Sequence, residues 1–303
     1  MNQVRTHGAR AVLAGSAILL ALALLAPAAA QAQAWLPEKG STSFALAYSE
    51  VLHKKHYVNT GGEVDVGHTS SEITNVSGSY SPSDRWMIQA SIPYVNARYK
   101  GAFPHPSVVD DGSWHATLTD LVVTAHYQAV DGWIGLAPYA GVVIPTHDYV
   151  VIGHGAPGRG LEEYWLGFYT ATSLNEWIPR TYVELRANYA FVEEVANVFH
   201  NRSNAGLELG YYLNESWSVR LLAAKQWTHG GVGIPIPATD PLFPFHDQLA
   251  EDEFVNVGAG ISRIMNDRLQ FYGLYMESID GRNSHKVDHR VSFGMSYGTG
   301  HGN

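Results

Sequence analysis

The chain contains no cysteine. Disulfide staples are therefore excluded, whatever compartment the protein reaches. The same absence removes the residue on which a bacterial lipoprotein anchor is built. Basic residues are few: 19 Lys+Arg, two of them Arg5 and Arg10, stand against 28 Asp+Glu. That acidic balance speaks against a nucleic-acid partner. Only 46% of the residues are hydrophobic. After Ala26 no apolar run approaches the roughly 20 residues that a spanning helix needs. A chain of this kind that crosses a membrane must do so with strands, because only helices and closed barrels satisfy the backbone in lipid.

The N-terminus reads as a leader. Arg5 and Arg10 give a positive segment, Ala11 to Ala26 an apolar one, and Pro27 ends it. The small residues from Ala28 to Ala34 then offer A-x-A cleavage sites. Cleavage after Ala34 is expected, with Ala30 and Ala32 as the other sites. The domain division is therefore 1–34 signal peptide and 35–303 transmembrane β-barrel.

What remains has a rhythm. Alternating segments are expected at 41–52, 69–81, 85–99, 114–130, 133–147, 161–175, 180–193, 203–214, 217–229, 252–265, 268–280 and 287–298. Tight turns such as Ser81-Pro82-Ser83-Asp84, Asp131-Gly132, Glu215-Ser216 and Asn266-Asp267 have suitable chemistry. They alternate with long connections at 53–68, 100–113, 148–160, 194–202, 230–251 and 281–286. Short turns on one rim and long loops on the other define an all-β, closed antiparallel up-and-down barrel of about 12 strands. Both termini then fall on the short-turn rim, which faces the periplasm in a Gram-negative outer membrane.

Period-two alternation supports the same reading. Leu185, Ala187, Tyr189 and Phe191 share one face of the seventh segment, and Tyr182, Glu184, Arg186 and Asn188 the other. The last segment sets Val291, Phe293, Met295 and Tyr297 against Arg290, Ser292, Gly294 and Ser296. A soluble β-sandwich shows the same period. Tryptophan placement separates the two. Trp86, Trp133, Trp177 and Trp217 sit beside short turns, and Trp114, Trp165 and Trp227 near the long-loop ends. Two indole girdles are what a membrane-spanning barrel carries at its interfaces. Pro93, Pro138 and Pro145 lie inside strand segments and are expected to mark bends near the rims.

Several segments together resemble a known family. Ser83-Asp84-Arg85-Trp86 leads to Ile92-Pro93-Tyr94-Val95. Leu118-Thr119-Asp120-Leu121 opens the next segment, Ile144-Pro145-Thr146-His147-Asp148-Tyr149 closes the fifth, and Gly158-Arg159-Gly160 precedes the sixth. In this order they resemble the outer-membrane β-barrel transporters of the meta-pathway of phenol degradation. The resemblance runs over most of the chain. The family often has glycine where this chain has Thr119 and His147, and here six residues follow Tyr297. The resemblance implies an outer-membrane channel or uptake protein that passes small solutes, hydrophobic or aromatic ones among them, by passive diffusion. Expected partners are outer-membrane lipids, the barrel-assembly machinery and a small-molecule solute. No cofactor and no enzymatic activity are expected.

By parity Asp120, Glu184, Arg186, Glu208 and Arg220 point into the lumen, where charges set ion preference. The alternative is a closed structural barrel, its lumen filled by salt bridges. In the longest loop, Ile234, Ile236, Phe243 and Phe245 are candidates for a first contact with hydrophobic solutes; packing against neighbouring loops is the competing role. Most histidines fall in expected outer loops, where solvation is their expected state. His53 and His56 with His68 show no recognised ligand spacing, so no metal site is assigned. One enzymatic pattern is present: His200 to Gly206 is similar to the His-x-Ser-Asn stretch of outer-membrane lipases. Here Ser203 stands three places from His200, which on a strand puts the two on opposite faces. A lipid hydrolase using Ser203 and His200 is therefore the lesser alternative.

Overall fold

The computed structural model describes residues 34–102 and 105–299. The expected leader, apart from Ala34, lies outside the described residues. Fourteen strands form one sheet: β1 (Thr42–Tyr57), β2 (Glu63–Val64), β3 (His68–Ser83), β4 (Trp86–Lys100), β5 (His115–Leu118), β6 (Asp120–Tyr127), β7 (Ile134–Pro145), β8 (Glu163–Ser173), β9 (Thr181–Val192), β10 (His200–Tyr212), β11 (Trp217–Gly230), β12 (Glu253–Ile264), β13 (Leu269–Arg282) and β14 (Ser284–Gly298). Each wall strand pairs antiparallel with its neighbours in sequence, and β14 pairs β1 to close the ring. Closure joins the first and last strands of the wall, which is the condition for placing strands in lipid.

The wall has twelve strands because two of the fourteen add no new position. β2 is a two-residue flap on the outer end of β1. β5 and β6 both pair with β4 and are two halves of one wall strand, broken at Thr119. The register slips by one residue between Ser91↔Val122 and Tyr94↔Leu118. Pro93 lies opposite the break and has no N–H to continue the ladder. Its carbonyl instead accepts from the Thr119 N–H at 3.0 Å. So the expected single strand at 114–130 is divided. Pro145 ends β7, as a rim proline should, whereas Pro138 sits within β7 opposite Phe168.

Several strands run further than expected at the long-loop rim. β1 continues to Tyr57, β10 begins at His200 and β14 at Ser284. The extra residues are polar on both faces. They are held by ladder hydrogen bonds, such as His56↔His285 and Tyr57↔Ser284, and show no apolar alternation.

The two faces of the wall differ as the alternation requires. Ile88, Leu166, Leu185, Leu207, Leu209, Leu221 and Phe293 are exposed on the outside. That apolar surface is the lipid-facing one. Inside, hydroxyls pair across strands, as Ser49 and Ser292 do at 2.8 Å and Ser43 and Ser79 at 2.6 Å. Large inward rings lie against inward glycines. A β-carbon at Gly210 would collide with the Tyr182 ring, and one at Gly294 with the Tyr272 ring.

The girdles need one correction. Trp86, Trp133 and Trp177 are exposed beside short turns. Trp165, however, points inward. Its indole donates to Glu163 at 2.8 Å and packs against Leu161, Ala190 and Val192. It shares the parity of Glu163 and Tyr169, which face the lumen.

Candidate functional site: the lumen and its outer mouth

The inner face carries a band of charges and rings. Glu208 on β10 pairs with Arg220 on β11 at 3.5 Å and accepts from the Tyr182 hydroxyl at 2.6 Å. The Arg220 guanidinium also lies over the Tyr272 ring at 5.7 Å. Glu184 and Arg186 are register partners of Glu208 and Gly206, and the Arg186 side chain crosses the space a β-carbon at Gly206 would take. Asp120, at the start of β6, accepts from the Tyr149 hydroxyl at 2.6 Å. These five residues therefore stand on the inner face. Four of them gather on β9, β10 and β11, and Asp120 stands apart beside the mouth.

Sequence parity left out several inward charges. Arg202 forms a buried ion pair with Glu163. Arg159 donates to Asp252 at 2.6 Å, and the Thr228 hydroxyl donates to the same carboxylate at 2.6 Å. Arg290 contacts two serine hydroxyls, Ser49 at 3.2 Å and Ser292 at 3.3 Å. Glu163 and Arg290 were readable from their parity with Tyr169 and Ser292. Arg202 was hidden because β10 starts three residues earlier than the apolar pattern does. Tyr139, Tyr169 and His126 add a ring cluster, with centroids 5.1 to 5.8 Å apart.

Both mouths are narrowed. At the short-turn end the Gln128 amide donates to the Ala34 carbonyl at 2.8 Å and accepts from the Leu36 N–H at 2.6 Å. The Trp35 ring then sits against Gly135, where a β-carbon would strike it. At the long-loop end, the 231–252 connection folds inward. The Ile234 N–H donates to the Asn283 side chain and the Ile234 carbonyl accepts from Asn59, both at 2.8 Å. Gln248 reaches the Arg159 carbonyl at 2.6 Å. Ile234 is buried, while Ile236, Phe243 and Phe245 are half-buried. Phe243 and Phe245 lie in a short 3-10 turn, with Phe243 against the rings of His105 and His246. Beneath this lid lies a cavity of about 350 Å³, bounded by Val51, Ile73, Val95, Val287, Arg159 and Asn256.

Four of the loop histidines are not solvated. His56, His105, His154 and His246 are all buried. Their neighbours explain this: three long loops and the outer ends of β1 and β14 converge on Asp247. Its Oδ1 is 3.2 Å from His285 Nε2 and 3.4 Å from His246 Nε2, and its Oδ2 is 3.4 Å from His154 Nδ1. Burial opposes ionisation of Asp247, yet the hydrogen bond from His285 and the other imidazoles hold its carboxyl well below the usual range. Burial also lowers His154 to about 4, so that ring is neutral at ordinary pH. Behind these, Asp110 accepts from the His105 and Gly155 N–H groups at 2.8 Å each and lies 3.2 Å from His105 Nδ1. Glycine is required at 153, where φ is +114° and a β-carbon would lie 2.9 Å from Asp110. His68 is exposed and joins no such group among the described residues.

The enzymatic pattern does not assemble. His200 is fully buried, with its Nδ1 3.1 Å from the Val198 carbonyl, while Ser203 lies on the outer face. The three-residue separation has the effect that strand geometry demands.

No family model matches the chain, and no curated protein matches it in sequence. Solved structures do match. The chain is similar to an outer membrane channel from Pseudomonas putida F1, with a TM-score of 0.69 and 14% identity, over 89% of this chain and 100% of that one. It is also similar to the NanC porin (TM-score 0.47, 8% identity, 84% and 98% covered). A third match is the translocator domain of the autotransporter NalP from Neisseria meningitidis (0.48, 12%, 95% and 95%). At these identities the likeness is one of fold. The fold is that of a closed outer-membrane-type β-barrel with a polar, charged interior.

Proposed function

We propose that the protein is a channel of the Gram-negative outer membrane through which small solutes diffuse, aromatic acids being the class that fits it. The observation that carries this reading is the 350 Å³ cavity beneath the lid, with Val51, Ile73, Val95 and Val287 on one side and Arg159 at its edge. That size is at the lower end of small-molecule pockets, roughly 300–1,000 Å³. An aromatic ring suits the valine wall, while Arg159 is already paired with Asp252. Below the cavity the tyrosines offer further rings, and Arg290, held by the Ser49 and Ser292 hydroxyls, offers a cation to a carboxylate. The resemblance to transporters of the meta-pathway of phenol degradation points to the same solute class. No bond chemistry is needed. A water-filled barrel with charged walls selects by size and field.

The test is single-channel conductance of the purified mature protein in planar bilayers, with and without benzoate-type acids. Steady conductance, reduced by the acids, is the expected result. A silent bilayer from protein shown to be folded would overturn the open channel and favour the closed structural barrel.

A further inference from the structure

We propose that His56, His154, Asp247 and His285 form a binding site for a first-row divalent transition metal of the zinc type, which clasps the 231–252 loop to the barrel wall. The four come from separate parts of the chain: the outer end of β1, the β7–β8 connection, the β11–β12 lid and the start of β14. One ligand atom from each lies within 4.8 Å of all the others. A zinc-type ion held at about 2.0–2.2 Å by imidazole and carboxylate places tetrahedral donors roughly 3.3–3.6 Å apart. Asp247 Oδ2 lies 3.4 Å from His154 Nδ1, within that spacing, and the other oxygen, Oδ1, lies 3.2 Å from His285 Nε2, just short of it. The remaining donors need to close by about an ångström, within the reach of side-chain rotation.

The second observation is independent of proximity. His154 Nδ1 and Asp247 Oδ2 are buried and make no hydrogen bond, although they face each other at 3.4 Å. His105 Nε2 is also buried without a hydrogen bond and points at the same oxygen from 3.8 Å. Buried polar atoms are nearly always satisfied. Several orphaned together, all of them metal-ligand atoms, are accounted for by a cation between them. Three imidazoles and one carboxylate suit zinc, cobalt, nickel or copper and not the oxygen-seeking calcium or magnesium. The support around the site matches as well. Asp110 accepts from the backbone N–H groups of His154 and Gly155 and so holds the loop that presents one ligand, and behind the site it pairs with His105 Nδ1.

The experiment is calorimetric titration of Zn²⁺ into untagged, folded, metal-stripped protein, followed by Co²⁺ absorbance for coordination. One equivalent is expected to bind, with a four-coordinate cobalt spectrum. Asp247→Asn and His154→Ala should each weaken it at least tenfold. His68→Ala/His147→Ala, which alters exposed histidines only, should leave it unchanged. Heat-modifiability on gels shows whether each variant is folded, and His285→Gln serves if His154→Ala is not. Absence of stoichiometric binding, or binding that survives both Asp247→Asn and His154→Ala, would overturn the site. The titration is made in detergent, so its outcome is independent of whether the barrel conducts.

Discussion

The Ser203 hydroxyl and Nε2 of His229 lie 2.8 Å apart on the outer side of β10 and β11. The pair is diagonal across the ladder, since His229 stands opposite Asn201. It supplies a nucleophile and a base within reach, but among the described residues the His229 ring pairs with no carboxylate, the orienting group of a triad, and it stacks on Tyr189 at 5.7 Å and 19°. We read the contact as an exposed hydrogen bond. Ser203→Ala is expected to leave conductance unchanged and to alter stability by about 1 kcal/mol or less. Phospholipase activity in the wild type, lost in both Ser203→Ala and His229→Ala, would reinstate the hydrolase with a different histidine from the one the sequence offered.

Arg186 and Arg290 are the cations whose reversal should be read most directly in the lumen. Arg186→Glu removes a positive charge from the inner face of β9 and adds a negative one. The reversal potential in a salt gradient is expected to move toward cation preference. The same exchange at Arg263, which lies over the Trp217 ring at the short-turn rim at 5.1 Å, should move it much less.

The inward glycines can be tested as spacers. Gly210→Val puts a side chain where the Tyr182 ring lies. Tyr182 must then swing away and lose its hydrogen bond to Glu208. Overpacking of this kind costs about 1–3 kcal/mol. Thermal unfolding of the barrel should drop accordingly, and conductance should change with it. Unaltered melting and conductance would show that the ring has room to spare.

The Arg159–Asp252 pair makes the lid acid-sensitive. Burial raises the Asp252 pKa, but Arg159 and the Thr228 hydroxyl outweigh it, so its pKa lies below the ordinary value. A carboxyl depressed on folding contributes stability that is complete above its unfolded pKa, about 3.9, and lost as pH falls through the lower folded value. Proteolysis of the 231–252 loop should therefore accelerate below about pH 4. Asp252→Asn should make it fast at neutral pH, by up to roughly 3 kcal/mol of lost loop stability. Equal cleavage of wild type and variant across that range would show that the pair does not hold the loop.

Much of the wall was legible because lipid on one side and water on the other impose period two, and Leu185, Leu207 and Leu221 obey it. That rule acts only at membrane depth. Above the membrane both faces are polar, so the ends of β1, β10 and β14 looked like loops and Arg202 was missed. The break at Thr119 depends on Pro93, which only the paired register brings opposite. The histidine cluster had no local signal at all. His56, His154, Asp247 and His285 share no spacing, and only closure of the ring and the infolding of one loop bring them together.

The seam between β1 and β14 joins residues about as far apart in the chain as the fold contains, from Ser43↔Gly298 to Tyr57↔Ser284. Thr42 and Thr299 also share backbone and hydroxyl bonds. The wall is thus a ring with a nick, and nothing in its hydrogen bonding marks where the nick must fall. Ends that meet at one rim tolerate relocation. Fusing Thr299 to Ser41 through a short linker and reopening the chain at Asp131-Gly132 should give a permuted polypeptide with the same wall. In either order the ring shuts only when its last strand arrives, and until then the sheet carries two open edges of unpaired backbone groups.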